Sequence, residues 1–466
     1  MVPSLILSVI SIFVLLLLSP GINTIKNDTY IFVASNVVFF NTFIYFFKLR
    51  KFFKNWLRPD VLFVIGFLIV HFQIPYQSIF GIEPVKGNYI WVNPLVVNYA
   101  TEVSGVTLLL WYIGNYIFYL NPSKFKQPAT VSRLYHIKTG WLFNISIISS
   151  LILFCITVGS SFWSGSHAGV YNWGPGATYS FLVFRSLLTL AVIYMFLNNR
   201  GRFVSLNSAV NVFYRNKVLF FLIIFYCLLF LFIGDRGPVL QLGLVFFGCY
   251  TLFNVNLSFS RLVVIVVSAA FLLTVIGLGR TSDANLKEGN VFTRGFEKLS
   301  NTDETLLPTE ELASSVRILY RALNVVPNEH PYLNGLTIGA NLIDLIPFSS
   351  RLVDIPPIYQ SSTSFFTIYE KGEDFEFGDG SEIIADLYIN FGIEIAYVVF
   401  LLFGYFVAWL TFNAKINRSH VVIIVYLGFI ALSLYLNRSN FLFPVKYILY
   451  LIIFDRLFSK KIYYNE

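Results

Sequence analysis

The stretch GDRGPVLQLG at residues 234–243 divides a long apolar sequence into two. It separates VLFFLIIFYCLLFLFI (218–233) from an apolar run that continues to residue 253. Each run approaches the roughly 17 to 20 residues that a helix needs to cross a hydrocarbon core about 30 Å thick. Asp235 and Arg236 are therefore expected at one membrane face, in a tight connection between two helices. Pro238 suits the first turn of the second helix, where its missing N–H is not needed.

Similar apolar runs recur along the whole chain. Of its 466 residues, 56% are hydrophobic and only 12% are charged, which is typical of an all-α polytopic membrane protein. A net charge of +8 could suggest a nucleic-acid partner, but most basic residues fall in short loops between the runs. We therefore expect no nucleic-acid binding. The three cysteines lie within apolar runs without metal-ligand spacing, so they are interpreted as small buried hydrophobic residues.

The apolar runs predict about 12 transmembrane helices. The first, at 5–20, is read as a retained helix because it lacks a small-residue cleavage site and a preceding basic residue; a signal peptide is the alternative. The predicted helices are centred on 4–20, 30–47, 61–75, 98–120, 140–159, 178–197, 218–233, 238–254, 262–279, 391–411, 421–436 and 441–456.

The distribution of basic residues predicts the orientation. The loop 48–58, KLRKFFKNWLR, contains five Lys or Arg and no acid, and such loops remain in the cytoplasm. Alternation then places both termini inside and Gly234 to Pro238 at the outer face. The one long hydrophilic segment, about 281–390, falls outside between helices 9 and 10. Residues 1–280 would contain helices 1–9, and residues 391–466 helices 10–12 with a short cytoplasmic tail.

This outer segment is acidic, with eight basic residues against seventeen acidic ones over 280–390. Apolar pieces such as NGLTIGANLIDLIPF (334–348) recur within it. A flexible linker would lack such pieces, so a folded cap with short helices or a partly membrane-embedded loop is expected.

Several arginines lie where a membrane helix should avoid charge. Arg185 falls well inside its helix, Arg236 and Arg280 lie at outer helix ends, and Arg438 lies in the turn NRSN. An arginine inside the membrane costs about 2.5 to 3.5 kcal/mol on insertion scales, so it needs a partner or a function. We predict that these guanidiniums bind an anionic ligand such as a lipid pyrophosphate, with Asp235 orienting Arg236 or pairing with another arginine. The alternatives are interfacial snorkelling for Arg280 and Arg438 and an ion pair with Glu102 for Arg185.

The outer segment contains a second pair of arginines. In PTEELASSVRILYRAL (308–323), Pro and Thr precede acidic residues and a helical pattern. Arg317 and Arg321 are four residues apart, so they share one face of that helix. They are predicted to form a further phosphate or sugar clamp; a solvated basic face is the alternative.

The stretch GDGSEIIADLYINFG (378–392) contains the candidate catalytic carboxylates. A helix would place Glu382, Asp386 and Asn390 on one side, next to an apolar helix. At a membrane boundary a carboxyl can have a raised pKa and act as a general base. A surface pair is the alternative.

The sequence contains no metal-binding motif, glycine-rich phosphate loop or nucleotide motif. No cofactor or metal is expected.

Four elements together resemble a known family: GDRGP, VRILYR, PYLNGLTIGANLIDLIP and LYINFG. Over residues 180–455 the chain is similar to O-antigen and capsular repeat-unit polymerases of the Wzy type. Many relatives have Glu directly before Leu-Tyr where this chain has Asp386, which leaves open whether Asp386 or Glu382 is the working carboxylate.

The resemblance implies a GT-C-like helical glycosyltransferase of the bacterial inner membrane. It would polymerise undecaprenyl-pyrophosphate-linked oligosaccharides at the outer face without a metal, with a chain-length regulator as a possible protein partner. In this interpretation the arginines bind the pyrophosphate and an outer carboxylate activates the attacking hydroxyl.

Two other functions compete with this interpretation. An O-antigen ligase would use the same donor but transfer the glycan to lipid A core. A flippase or other transporter of lipid-linked oligosaccharides would be expected to show repeats and broken helices. No repeat is visible in the sequence, and its unusual charges cluster toward one face, which favours an enzyme.

Overall fold

A computed structural model describes most of the chain. It covers residues 1–84, 87–120, 135–163, 173–174, 176–200, 202–204, 206–279, 293–297, 309–349, 353–375, 378–415 and 419–463. Arg280, one of the predicted ligand-binding residues, lies outside the described residues.

Each of the twelve predicted apolar segments contains a helix. They are α1 (Val2–Leu18), α2 (Asp28–Leu49), α3 (Pro59–Ser78), α5 (Val97–Tyr119), α6 (Trp141–Thr157), α8 (Ala177–Asn198), α10 (Lys217–Phe232), α11 (Gly237–Phe253), α12 (Phe259–Leu278), α18 (Ile393–Lys415), α19 (His420–Ser433) and α20 (Phe443–Phe458). Shorter helices near them are α4 (Gly87–Ile90), α7 (Ser160–Trp163) and α9 (Leu206–Arg215).

Not all of these helices are long enough to cross a bilayer by themselves. Within the described residues, α2, α3, α8 and α18 are long and apolar enough, and α9 with α10 would make a fifth span despite a 90° bend between them. Helices α1, α6, α11 and α19 are apolar but shorter, whereas α5 has 23 residues but is less apolar. An all-α polytopic membrane protein is thus confirmed, whereas the count of twelve spans stays a prediction.

Local sequence signals explain several helix starts. Asn27 caps α2 by accepting a hydrogen bond from the Tyr30 backbone N–H at 3.0 Å. Pro238 lies in the first turn of α11, as predicted. The first backbone N–H groups of a helix have no partner within the helix. In α2 the Asn27 side chain bonds one of them, and in α11 Pro238 has no N–H that would need a partner.

Helices α5 and α18 cross in close contact. A Cβ on Gly404 would collide with the Trp111 carbonyl, and one on Gly114 with the Leu401 carbonyl. The Asn115 side-chain amide donates a hydrogen bond to the Gly404 carbonyl at 2.7 Å. Small residues allow membrane helices to approach closely, and buried amides then link their backbones. This crossing positions α18, whose N-terminal end directly follows the segment that contains the predicted carboxylates.

The predicted cytoplasmic loops meet at one end of the helices. The Trp56 backbone N–H donates to the Leu257 carbonyl at 3.1 Å, and Lys415 lies over the Phe53 ring at 5.3 Å. Strand β1 (Tyr135–Thr139) pairs antiparallel with β2 (Ser459–Tyr463). These segments are distant in sequence but lie together at one end of the helices. The distribution of basic residues predicts the same grouping.

The described part of residues 309–391, called here the cap segment, contacts the helix ends on the other side. Its helices are α13 (Glu310–Ala313), α14 (Val316–Val325), α15 (Leu336–Ile343), α16 (Ser362–Lys371) and α17 (Ile383–Phe391). Thr309 donates a hydrogen bond to the Gln73 side chain on α3 at 2.7 Å. The Tyr388 hydroxyl donates to the Val326 carbonyl at 2.7 Å. The cap segment is folded, in contrast to a flexible linker.

Candidate functional site

Asp379 is the centre of a cluster of buried charges in the cap segment. Arg317 Nη2 lies 3.1 Å from Asp379 Oδ1 and 2.7 Å from its backbone carbonyl oxygen. Arg321 Nη1 lies 3.1 Å from Asp379 Oδ2, and Lys371 Nζ lies 2.9 Å from Oδ1. The Tyr89 hydroxyl donates to the same Oδ1 at 3.1 Å. One carboxylate thus holds three cations, and Glu370 provides a second anion by pairing with Arg321.

The two arginines of α14 share one helix face, as their spacing predicts. Both are buried, with only 5% of Arg317 and 4% of Arg321 exposed, so the alternative of a solvated basic face is wrong. The Arg317 guanidinium lies over the Tyr89 ring at 3.9 Å. Its Nη1 has no hydrogen-bond partner among the described residues. A buried guanidinium N–H without a partner is available to bind an anion.

The charges of this cluster alter the pKa values of its members. Burial alone would raise the pKa of Asp379, but the Lys371 hydrogen bond and the charges of Arg317 and Arg321 outweigh it and hold that pKa well below its usual range. Burial lowers the pKa of Arg317, which nevertheless stays charged. Asp379 is therefore a fixed anion, unsuited to accept a proton near neutral pH.

Two other predicted arginines meet at Glu311. Arg236, before α11, pairs with its carboxylate, and Arg438, after α19, lies 3.5 Å from its Oε1. The Glu311 side chain is 50% exposed, so this pair lies near solvent. Asp235 accepts a hydrogen bond from the Gly237 backbone N–H at 3.1 Å. It thereby orders the turn that contains Arg236.

The predicted carboxylates lie at the N-terminus of α17 and differ in their contacts. Glu382 is the N-cap, and its two oxygens accept the backbone N–H groups of Ile384 at 2.7 Å and Ala385 at 2.8 Å. Asp386 Oδ2 accepts the backbone N–H of Phe441 at 2.8 Å, while its Oδ1 has no hydrogen-bond partner among the described residues. Both residues are fully buried, so the alternative of a surface pair is wrong.

Burial also changes the acidity of Asp386. It raises the pKa of this carboxyl to about 6, with a smaller increase from the Glu382 charge and opposing contributions from the Phe441 N–H and the Ser362 hydroxyl. Asn390, one turn further, donates hydrogen bonds to the Asp386 carbonyl and to Thr337 Oγ1, both at 2.7 Å. The two carboxylates of α17 therefore have different chemistry: Glu382 is held by backbone donors, whereas Asp386 is able to exchange a proton near neutral pH.

Arg185 lies inside the helix bundle, on α8. Its guanidinium lies over the Tyr447 ring at 4.2 Å, and its Nη2 has no hydrogen-bond partner among the described residues. The alternative of an ion pair with Glu102 is not observed, because Glu102 instead accepts a hydrogen bond from Ser19. A cation–π contact offsets part of the cost of a charge in this position.

The structure thus divides the predicted residues into groups. Arg317 and Arg321 share Asp379, Arg236 and Arg438 share Glu311, and Arg185 lies apart from both. The sequence interpretation did not single out Tyr89, Glu311 or Asp379, nor His71 on α3, whose Nε2 lies 3.2 Å from Glu382 Oε1. Asp379 lies between two glycines at the start of the stretch GDGSEIIADLYINFG. That position was a sequence feature that could have marked it as a functional residue. Among the described residues, no group of three or more His, Cys, Asp or Glu could hold a metal ion.

The fold and site define a class of protein: a polytopic helical membrane protein whose cap segment contains a buried pair of arginines and a buried carboxyl of raised pKa. A family model described as O-antigen polysaccharide polymerase Wzy matches residues 4–461. The chain therefore belongs to this family, and the match extends the resemblance to the N-terminal third. Comparison with curated proteins and with solved structures gives no significant match.

Proposed function

We propose that this protein polymerises undecaprenyl-pyrophosphate-linked oligosaccharide repeat units by glycosyl transfer at the outer face of the bacterial inner membrane. The family supports O-antigen repeat-unit polymerisation. The observation that carries the proposed site is the pair of unsatisfied buried groups at one end of the molecule, Arg317 Nη1 and Asp386 Oδ1. One can bind an anion, and the other can accept a proton.

The arginines are assigned to the leaving group. When the bond between the anomeric carbon and the phosphate oxygen breaks, its electron pair passes to undecaprenyl pyrophosphate. Donors fixed around that charge before reaction stabilise the transition state. Arg317 and Arg321 are held by Asp379, while Arg236 and Arg438 would exchange the exposed Glu311 carboxylate for phosphate oxygens. Arg185 would bind a phosphate closer to the membrane interior.

Asp386 is assigned as the general base. The attacking sugar hydroxyl of a new lipid-linked repeat unit forms the glycosidic bond and transfers its proton to Asp386 Oδ1. A pKa of about 6 suits a base that is ionised at neutral pH and still accepts a proton. Glu382 is assigned to hold the start of α17, and Asn390 to position the Asp386 backbone. Because Asp386 is enclosed, the turn around Phe441 must move for substrate to reach it.

In this proposal the cap segment, as part of 281–390, faces outward and both termini are cytoplasmic. The outward end would then receive lipid-linked units after their transfer across the membrane. In this proposal the protein partner is a chain-length regulator.

The test is polymerisation in proteoliposomes with purified lipid-linked repeat units. We expect wild type to produce a ladder of lengthening glycans, and Arg317→Ala and Asp386→Asn to lose it while remaining folded. Arg202→Ala is a matched control, because Arg202 is exposed on the basic-loop side of the bundle and, among the described residues, its guanidinium donates to nearby Asn199 at 3.4 Å. Single transfer to lipid A core, or transport without a ladder, would refute polymerisation. Full activity of Asp386→Asn would refute the assignment of the base.

A further inference from the structure

The N-terminal ends of α8 and α20 lie side by side and contact the cap segment. Lys446 on α20 lies over the Tyr179 ring on α8 at 5.1 Å. Its Nζ donates a hydrogen bond at 2.6 Å to Asp344 Oδ2, at the C-terminal end of α15. The Phe348 backbone N–H donates to the Tyr179 hydroxyl at 3.2 Å. Two helices and the cap segment thus surround the Lys446 ammonium, in what is called here the α8–α20 seam.

Polar atoms without partners continue along the α8–α20 seam. Tyr450, one turn after Lys446, is 8% exposed, and its hydroxyl has no hydrogen-bond partner among the described residues. It interacts electrostatically with Tyr179 and Asp344, so it faces the same place. Arg185 follows Tyr179 by six residues, about 9 Å along α8, and its Nη2 likewise lacks a partner there. Buried polar atoms normally have partners, so these two donors are available to bind a ligand.

Asp344 is a replaceable partner for Lys446. Its side chain is 46% exposed and that of Lys446 is 24% exposed, and ion pairs so accessible to water contribute little to stability. By comparison, the Asp379 side chain, which holds the cations of the cap segment, has no exposed surface. A phosphate oxygen accepts the same hydrogen bond from an ammonium as a carboxylate does. A phosphate ligand can therefore take the place of Asp344.

Apolar side chains flank the entrance to the seam. Leu342, Ile346 and Phe348 of the cap segment are exposed, and so is Val445, next to Lys446. Exposed apolar groups that lie together usually mark a surface that binds an apolar partner. An amphiphile with a phosphate head and a hydrocarbon chain fits this combination better than a free phosphate does.

The seam is also joined to the elements that hold the proposed base. Asp386 Oδ2 accepts the Phe441 N–H at 2.8 Å, and Lys446 follows Phe441 by five residues. Helix α15 is connected to α17 by the hydrogen bond from Asn390 to Thr337 at 2.7 Å. A ligand in the seam would therefore be bound beside both supports of Asp386.

We propose that the α8–α20 seam binds a phosphate group of a lipid pyrophosphate, with Lys446, Tyr450 and Arg185 as its donors. Asp344 is the anion that this phosphate displaces. The inference rests on the proposed function, which assigns Arg185 to a phosphate, and it adds two donors and a displaced carboxylate to that assignment.

The test is the binding of undecaprenyl pyrophosphate to the protein in detergent, measured by microscale thermophoresis. Lys446→Gln should weaken binding about tenfold, because it removes a charge-assisted hydrogen bond. Tyr450→Phe should weaken it about threefold by the loss of a neutral one, and Lys446→Arg should retain most of the affinity. Equal affinities of Lys446→Gln and wild type would overturn the proposal.

Asp344→Asn separates a displaced anion from a structural partner. Because the carboxylate competes with the phosphate for Lys446, its removal should tighten binding several-fold; unchanged or weaker binding would contradict the proposal. Undecaprenol has the same hydrocarbon chain without phosphate and should bind equally to wild type and Lys446→Gln. If undecaprenol shows the same loss, the lysine acts on the chain and the phosphate site is wrong.

A second Lys–Asp pair provides the matched control. Lys26 Nζ lies 3.2 Å from Asp28 Oδ1 and 5.2 Å from the centroid of the Trp91 ring, and the two side chains are 21% and 56% exposed. Lys26→Gln and Asp28→Asn should leave the affinity unchanged. A loss in Lys26→Gln as large as that in Lys446→Gln would mean that any lysine charge attracts the lipid, which would refute a specific site.

The two proposals can fail separately, because binding does not require turnover. If wild type produces no glycan ladder but the variants change binding as expected, the polymerase proposal is wrong and the phosphate site remains. If the ladder forms and Lys446→Gln binds the lipid normally, only the inference about the seam fails.

Discussion

Replacing Asp386 with Asn should stabilise the protein while abolishing its activity. Asp386 is fully buried, and its ionised form must exist without water and with one oxygen lacking a hydrogen-bond partner among the described residues. Asparagine has nearly the same shape and can still accept the Phe441 N–H. The substitution therefore removes a buried charge without creating a cavity.

The size of this effect follows from the pKa. Burial raises the pKa of Asp386 from 3.8 to about 6, and each pH unit corresponds to 1.36 kcal/mol, so ionisation costs the folded state about 3 kcal/mol. Because the folded-state pKa is the higher one, this penalty is complete above pH 6. It disappears as the pH falls toward the unfolded value near 4.

Thermal unfolding in detergent, followed by tryptophan fluorescence, would measure this effect. At pH 7.5 we expect the Tm of Asp386→Asn to exceed that of wild type by a few degrees, and the difference to shrink between pH 6 and pH 4. Glu382→Gln should instead lower Tm, since it weakens two charge-assisted hydrogen bonds to the helix N-terminus. A destabilised Asp386→Asn variant, or a gain in Tm that does not depend on pH, would refute the reasoning.

Three further outcomes are expected. Asp379→Asn leaves Arg317 and Arg321 buried without their main anion; breaking a buried pair costs about 3 to 5 kcal/mol, and limited proteolysis should then cleave the cap segment at lower temperature than in wild type. Acid should also destabilise the cap segment, but only well below pH 4. The pKa of Asp379 is depressed, so its stabilising contribution is lost only as the pH falls through that low value. A transition near pH 5 would contradict this. A Cβ at position 404 collides with the Trp111 carbonyl, so Gly404→Ala should already reduce the amount of folded protein and Gly404→Leu should prevent its accumulation, both measured by fluorescence size-exclusion chromatography.

The sequence predicted the positions of the main helices well. Each apolar run became a helix, and the predicted start at Pro238 and the shared face of Arg317 and Arg321 were correct. These features depend on interactions within one or two helical turns, so a short stretch of sequence contains the information. The length of a helix also depends on its local sequence. Whether a short apolar helix crosses the bilayer depends instead on the helices that pack against it, so the number of membrane spans stays a prediction.

The sequence by itself determined that this is a helical membrane protein and which residues could contribute charge to its site. Only the tertiary structure decided how those residues are grouped: which arginines share Asp379, which share Glu311, and that His71 reaches Glu382. It also separated the two carboxylates, since both oxygens of Glu382 accept backbone N–H groups, whereas Asp386 Oδ1 has no hydrogen-bond partner among the described residues. These outcomes depend on burial and on approaches between distant segments, because the energy of a charge in the interior is set by whatever partner the fold brings within a few ångströms.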